Sequence, residues 1–177
     1  MNIFDKYNAN RHLIKNGDLI LFRGNHIMAK AIQYFDSAYY NHIGIVMECN
    51  GRLFIIDSNA DGVEPEFLST RMKKYVDFSI LEINKPQNEI DLALYKILAK
   101  AEYHIKYDFM LALRIVISRK FGYDLKFLGD SDRVICSDWA RRLTNAVGLK
   151  CYNFNHWITP QDFKRFQDPL EIITILP

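Results

Sequence analysis

Residues 42–57, which read HIGIVMECNGRLFIID, decide the fold of this chain. Two short runs of β-branched and aromatic residues, His42–Met47 and Leu53–Ile56, flank the pair Asn50-Gly51. Two-residue hairpin turns favour Asn-Gly because both of its residues readily adopt positive φ. The stretch therefore predicts a β-hairpin. If the strands pair around this turn, residues whose numbers add up to about 101 lie opposite one another.

Further strands and helices follow on both sides of the hairpin. Strand patterns cover Asp18–Phe22, behind a turn at Asn16-Gly17, and also Phe78–Ile83 and Leu170–Leu176. Helical spacing or start signals mark Ile27–Phe35, Glu66–Lys74, Glu89–His104, Asp108–Lys120, Cys136–Val147 and a helix that begins at Pro160. A turn is expected at Asn59–Gly62 and a loop at Gly122–Arg133. This order predicts an α+β domain: an antiparallel sheet of about five strands packed against helices.

Two of these helices carry a prediction about their environment. In Ile27–Phe35 two sets of apolar residues recur at helical spacing, so this segment is expected to pack on the core rather than to face water entirely. The sets are Ile27, Ala31 and Tyr34, and Met28, Ile32 and Phe35. In Glu66–Lys74 the basic residues Arg71, Lys73 and Lys74 form a short cluster. Clusters this short usually lie on a solvated face, and we expect the same here.

Composition indicates one globular domain spanning residues 1–177. A chain of 20.8 kDa with 49% hydrophobic residues can bury a substantial core. The formal net charge of +2 is too small to indicate a nucleic-acid partner or a strong attraction to membranes. Since no apolar stretch approaches the ~20 residues that span a bilayer, no stable membrane insertion is expected. The first residues do not resemble a secretory signal, so a cytoplasmic location is predicted.

The cysteines point to a free thiol. Cys49, Cys136 and Cys151 are odd in number, match no zinc-binding spacing and are too few for a disulfide scaffold. At least one of them is therefore predicted to be unpaired. Neither a metal nor another cofactor is expected.

Cys136 has the position of a nucleophile. It opens a predicted helix, where the positive end of the helix dipole favours the thiolate, which is the reactive form. The free N–H groups of a first helical turn can also stabilise an oxyanion. A buried cysteine that serves only as a small apolar residue is the alternative for this residue alone.

His42 and Asp57 supply the partners that such a thiol needs. His42 begins the first hairpin strand, and Gly44 removes a side chain two positions on, on the same face. In the predicted register, His42 lies opposite about residue 59 of the second strand. Asp57 is two residues earlier on that strand and therefore points to the same face. Asp57 can thus accept from one imidazole nitrogen while the other addresses the thiol. A Cys136–His42–Asp57 triad is therefore predicted.

The order of several motifs resembles a known family. Gly17-Asp18-Leu-Ile-Leu, Asn41-His42-Ile-Gly-Ile-Val, Tyr107-Asp108-Phe109 and Ile135-Cys136-Ser137-Asp138 follow one another as in the YiiX-like permuted papain-fold amidases. These belong to the broader NlpC-type superfamily of cysteine peptidases. Thr159-Pro160-Gln161-Asp162 is similar to a stretch near the family's C-terminus. Each motif alone is weak, but their order and spacing together are fairly specific.

The resemblance implies a circularly permuted papain-like fold in which the histidine precedes the cysteine. By it, Cys136 is the nucleophile, His42 the base, and Asp57 fills a place where relatives carry Glu or another polar residue. Tyr40, Tyr107 and Ser137 are the candidate substrate-binding residues. The shorter Asp57 and the Asp138 that stands where Glu often follows the Cys-Ser pair depart from the family pattern.

The predicted activity is hydrolysis of an amide through a thioester on Cys136. The substrate is expected to be a small peptide, a cell-wall peptide or a lipid amide. Two alternatives stay open: a lipid-directed acyltransferase or lipase, with the apolar segment Phe109–Ile117 bordering an acyl channel, and a catalytically inactive binding module. The sequence does not indicate an oligomeric state.

Overall fold

A computed structural model describes residues 2–59, 62–99, 114, 117–118, 120–122, 135–149, 158–165 and 172–176. Within these ranges the chain is a mixed α/β structure with a six-stranded antiparallel sheet in the order β4-β3-β2-β1-β5-β6. The strands are β1 Leu19–Arg23, β2 His42–Cys49, β3 Arg52–Asn59, β4 Gly62–Phe67, β5 Asp77–Ile83 and β6 Ile172–Leu176. The helices are α1 Ile3–Asn10, α2 Ile27–Phe35, α3 Leu68–Met72, α4 Gln87–Ala99, α5 Cys136–Ala146 and α6 Pro160–Arg165, and a 3₁₀ turn covers Arg11–Leu13.

The predicted hairpin forms in the predicted register. β2 pairs with β3 so that Ile45 lies opposite Ile56 and Cys49 opposite Arg52. Asn50 and Gly51 both have positive φ, 52° and 72°, as a tight hairpin turn requires. Two residues at the turn thus fix which face every side chain of both strands occupies.

Strand β4, like helix α1, is an element that the sequence patterns missed. The turn predicted to end at Gly62 leads into a strand, and the helix predicted at Glu66–Lys74 begins only at Leu68. β4 lies at the edge of the sheet and contains Pro65. Proline has no N–H to donate to a neighbouring strand, and an edge strand tolerates this because one of its sides has no partner strand. The proline and the alternating glutamates of β4 do not fit the usual pattern of a strand, so the sequence did not predict it. The described sheet therefore has one strand more than predicted.

The sheet is covered on both faces. Along β1, Leu19 and Leu21 join one buried cluster, while Ile20 and Phe22 join the other. The first cluster takes in residues of α4, α5 and α6, and the second takes in residues of α1 and α3. Since alternate residues of a strand point to opposite faces, β1 is a fully buried central strand, as its continuous apolar run suggests.

Helix α2 has the predicted bounds and packs on the domain along one side. Ala29 is fully buried and Ile32 and Phe35 are partly buried, so the helix does not face water entirely, as predicted. Of its two apolar sets, the one with Ile27 and Tyr34 points outward, since these residues are 87% and 71% exposed. Spacing alone fixes a face of a helix but not the direction in which that face points.

The remaining predicted elements are partly covered. α4 ends at Ala99, and the predicted continuation to His104 lies outside the described residues. Most of Asp108–Lys120 and of the loop Gly122–Arg133 lies outside them too. No helix in the described ranges is long and apolar enough to cross a bilayer.

Candidate catalytic site

Cys136 is the first residue of α5, the helix that packs across β2 and β3. Its side chain is only 4% exposed, and it belongs to the cluster beneath that helix. The carboxylate of Asp138 turns back toward the start of the helix, where Oδ2 lies 3.5 Å from the Ile135 backbone nitrogen. The sequence placed the cysteine at a helix start correctly, and the fold directs that start at the sheet.

His42 and Asp57 are joined by a buried hydrogen bond. His42 Nε2 lies 2.8 Å from Asp57 Oδ2, with the histidine 8% and the aspartate 0% exposed. The two residues come from neighbouring strands of the hairpin, β2 and β3. The register set by Asn50-Gly51 is therefore what brings the imidazole and the carboxylate together.

Gly44 makes room for this pair. A Cβ at Gly44 would lie 2.7 Å from Ile55 Cγ1 and 3.1 Å from Asp57 Cβ. Both distances are shorter than an ordinary carbon contact of ~3.5–4.0 Å. Glycine is thus required because the opposing strand approaches closely, rather than because of an unusual backbone angle.

Cys136 completes the group from the start of α5, close enough to the His42 ring that its charge acts on the imidazole. Because Nε2 faces Asp57, the other ring nitrogen, Nδ1, is the one left for the sulfur. Burial lowers the pKa of His42, but the charge of Cys136 and the hydrogen bond and charge of Asp57 raise it to about 10. These surroundings thus favour a protonated imidazole at neutral pH.

Aromatic rings fix the plane of the imidazole. Tyr75 stacks on His42, with ring centroids 5.6 Å apart and planes inclined by 15°. Phe22 in turn stacks on Tyr75 at 4.5 Å. An imidazole held on one face by a ring and at Nε2 by a carboxylate has little rotational freedom.

Arg71 also belongs to this site, which the sequence analysis did not foresee. Its Nη2 donates to Asp57 Oδ1 at 2.7 Å, and its side chain is 5% exposed. Its Nε lies 3.0 Å from Glu66 Oε2, an ion pair whose angle does not make a hydrogen bond. Lys74 also pairs with Glu66, at 3.1 Å. The expectation of a solvated basic face was wrong for Arg71, because β4 and α3 turn it inward toward a buried carboxylate.

Comparison with known proteins gives the fold. No protein-family model matches the sequence, and no curated protein is similar to it in sequence. Among solved structures, the chain is similar to the crystal structure of metalloprotein yiiX from Escherichia coli O157:H7, with a TM-score of 0.58 and 18% identity. The match covers 89% of this chain and 82% of that chain. The fold is YiiX-like. At this identity the likeness shows the fold alone.

That neighbour is described as a metalloprotein, and the described residues of this chain were compared with what a metal site needs. Within the described part of the YiiX-like fold, no three His, Cys, Asp or Glu side chains are grouped so that they could hold a metal ion. Asp57 already uses both oxygens, one on His42 and one on Arg71. The described residues of the site are therefore arranged for hydrogen bonding rather than for coordination.

The candidate substrate-binding residues lie in different surroundings. Tyr40 is 2% exposed and belongs to the buried cluster beneath α5, so it is a core residue. Ser137, 1% exposed in the first turn of α5, has a hydroxyl without a hydrogen-bond partner among the described residues. Tyr107 and the segment Phe109–Ile117 fall outside or mostly outside the described ranges. For all of these residues, substrate contact stays a prediction.

The Thr159–Asp162 motif supports the segment that precedes His42 in the chain. Asp162 Oδ2 accepts from the Thr159 backbone N–H at 2.8 Å, which starts α6. Gln161 Oε1 accepts from the backbone N–H groups of Tyr39 and Tyr40 at 2.9 and 3.0 Å. In the YiiX-like fold this motif thus fixes the segment that leads into β2.

Asp18 braces the turn before β1. Its Oδ2 accepts from the Lys15 backbone N–H at 2.7 Å. Burial raises the pKa of Asp18 to about 7, against the opposing effect of the Lys15 hydrogen bond. Asp18 is therefore a structural residue whose protonation changes near neutral pH.

Proposed function

We propose that this chain is a cysteine hydrolase that cleaves amides with a Cys136–His42–Asp57 triad. The observation that carries the proposal is the buried His42–Asp57 hydrogen bond of 2.8 Å, in a ring close enough to Cys136 for the charge of that side chain to act on it. The three roles of a catalytic triad, a nucleophile, a base and a group that orients the base, are then filled by Cys136, His42 and Asp57. We further propose that the YiiX-like fold is a circularly permuted papain-like fold of the NlpC-type superfamily, since the histidine strand precedes the cysteine helix.

The reaction follows from these contacts. The Cys136 thiolate attacks the amide carbonyl, and the N–H groups of the first turn of α5 stabilise the oxyanion. His42 gives its proton to the departing amine, which leaves a neutral thioester on Cys136 and a neutral imidazole. His42 then accepts a proton from water, and the resulting hydroxide releases the acid and restores the thiolate. No cofactor takes part in these steps.

The substrate we propose is a small peptide, a cell-wall peptide or a lipid amide in the cytoplasm. A free thiol persists in a reducing compartment, which agrees with this placement. A panel of peptides and fatty-acyl amides separates these classes. If a long-chain acyl thioester accumulates on Cys136 in mass spectra, the lipid amides are the substrates.

The test uses the thiols of the chain as internal controls. Cys49 is exposed and Cys136 is buried, so a C49S background removes the exposed thiol and leaves Cys136 and Cys151 as the candidates for acylation. We expect cinnamoylimidazole, an activated acyl donor, to form a thioester on Cys136 that then hydrolyses. C136A in this background should form none, whereas D57N should still react, but more slowly. If acylation persists in C136A, for example at Cys151, the proposal is wrong. An unchanged rate in D57N would remove Asp57 from the triad.

A further inference from the structure

Asp57 has a second ionic partner that the triad chemistry does not use. Its Oδ2 faces His42 and its Oδ1 faces Arg71, at 2.8 and 2.7 Å. Asp57 is fully buried and Arg71 is 4% exposed, so water screens neither charge. The carboxylate therefore lies between two cationic groups, one of which changes its charge during the proposed reaction.

Arg71 is itself held in place. Glu66, at the end of β4, pairs with Arg71 Nε at 3.0 Å, and Lys74 pairs with Glu66. The side chain thus spans two carboxylates that come from adjacent strands, β3 and β4. A guanidinium suits this place because it keeps its charge at every relevant pH and presents its donors in a fixed plane.

The charges of the site can be followed through the proposed cycle. In the resting state a thiolate, an imidazolium, the Asp57 carboxylate and the Arg71 guanidinium alternate in sign. In the acyl-enzyme both the thioester on Cys136 and the imidazole are neutral, so only Asp57 and Arg71 stay charged. Without Arg71, the acyl-enzyme would hold an unpaired buried carboxylate, which is costly. The site would then avoid that cost by keeping a proton on His42.

We propose that Arg71 is a positioning residue which, given the hydrolase function proposed above, keeps His42 free to accept the proton of the hydrolytic water. It acts through Asp57: it neutralises the carboxylate when the imidazole is neutral and fixes the oxygen that orients the ring. The other groups that face His42 are Cys136 from α5, Tyr75 stacked on the ring and the uncharged Phe22 from β1. None of these supplies a second cation.

The first test needs no activity. His42 is titrated by NMR of its ring carbons in the C136A background, with Arg71→Gln, Arg71→Lys and a surface control, Arg52→Gln on β3. We expect R71Q to move the midpoint of the His42 titration upward by about one pH unit, because a cation beside its partner carboxylate is lost. R71K and R52Q should leave it close to that of C136A alone. An unchanged midpoint in R71Q would overturn the inference, and so would an equal shift in R71K.

The second test follows hydrolysis of the cinnamoyl thioester as a function of pH in the C49S background. We expect the acid limb of this rate to move upward by about one pH unit in R71Q, which makes hydrolysis about tenfold slower below the midpoint. R71K should restore the profile. If R71Q instead lowers the rate at every pH and leaves the midpoint in place, Arg71 only stabilises the fold and the proposal is contradicted.

The two tests separate the two proposals. If Cys136 is never acylated, the hydrolase function fails, yet the NMR titration still reports on Arg71. If acylation proceeds and neither midpoint moves, only the Arg71 inference fails. Should R71Q not fold, D57N/R71Q is compared with D57N, both in the C136A background. Because Arg71 acts through the Asp57 carboxylate, which D57N lacks, removing the cation should leave the His42 midpoint unchanged there, and a raised midpoint would contradict the proposal.

Discussion

Gly44→Ala tests whether the hairpin holds Asp57 where His42 needs it. The added methyl would lie 2.7 Å from Ile55 Cγ1, 2.8 Å from Ile55 Cδ1 and 3.1 Å from Asp57 Cβ. Ile55 is fully buried, so its side chain has little room to rotate away. The Asp57 Cβ is bonded directly to the backbone of β3, so only a shift of that strand relieves the third contact.

The size of the effect follows from these distances. Restoring an ordinary carbon contact requires a movement of roughly 0.4 Å or more at Asp57. A displacement of that size lengthens the 2.8 Å bond to His42 toward the limit of a hydrogen bond. Overpacking a core by one methyl costs about 1–3 kcal/mol. For a chain of this length, 2 kcal/mol lowers the melting temperature by about 4–8 °C.

Gly51→Ala is the matched control. Gly51 has a φ of +72°, so alanine there is strained by about 1–2 kcal/mol, but no atom lies within 4 Å of its added Cβ. Both variants, made in the C49S background, are compared by thermal melts and by the rate at which iodoacetamide alkylates Cys136. We expect both to melt earlier, and G44A alone to react about tenfold more slowly. Equal alkylation rates in the two variants would refute the argument that Gly44 serves the site.

Three further predictions concern charge and support. The pKa of His42 in the folded protein, about 10, exceeds its ordinary 6.5, so the stability that His42 contributes is lost as pH rises from 6.5 through about 10. Urea unfolding should show this decline. It should be less steep in C136A, which lacks the thiolate. Asp18 also has a raised pKa, so the stability that it contributes should fall as pH rises from 3.8 through about 7, and D18N should flatten unfolding free energies measured across that window. Gln161→Ala removes the acceptor of two backbone N–H groups and should cost about 0.5–1.5 kcal/mol in urea unfolding, since the exposed Tyr39 N–H can bond water instead.

The sequence predicts those parts of the fold whose signals are local. Asn50-Gly51 determines the hairpin and its register, and Cys136 begins its helix as expected. The exposed face of α2 was not predictable in the same way. Helical spacing identifies the line on which Ile27 and Tyr34 lie, but tertiary packing decides whether that line faces the core.

The edge strand β4 and the buried Arg71 were missed for one shared reason. A helix from Glu66 would place Arg71 on a free helical face, whereas a strand that ends at Phe67 and a five-residue helix carry it back to Asp57. The missing signal lay in hydrogen-bond accounting rather than in periodicity. A buried carboxylate has two oxygens, and one histidine nitrogen can satisfy only one of them. Once Asp57 is predicted to be buried beside His42, a second donor is required, and an arginine shortly after the hairpin is the natural candidate.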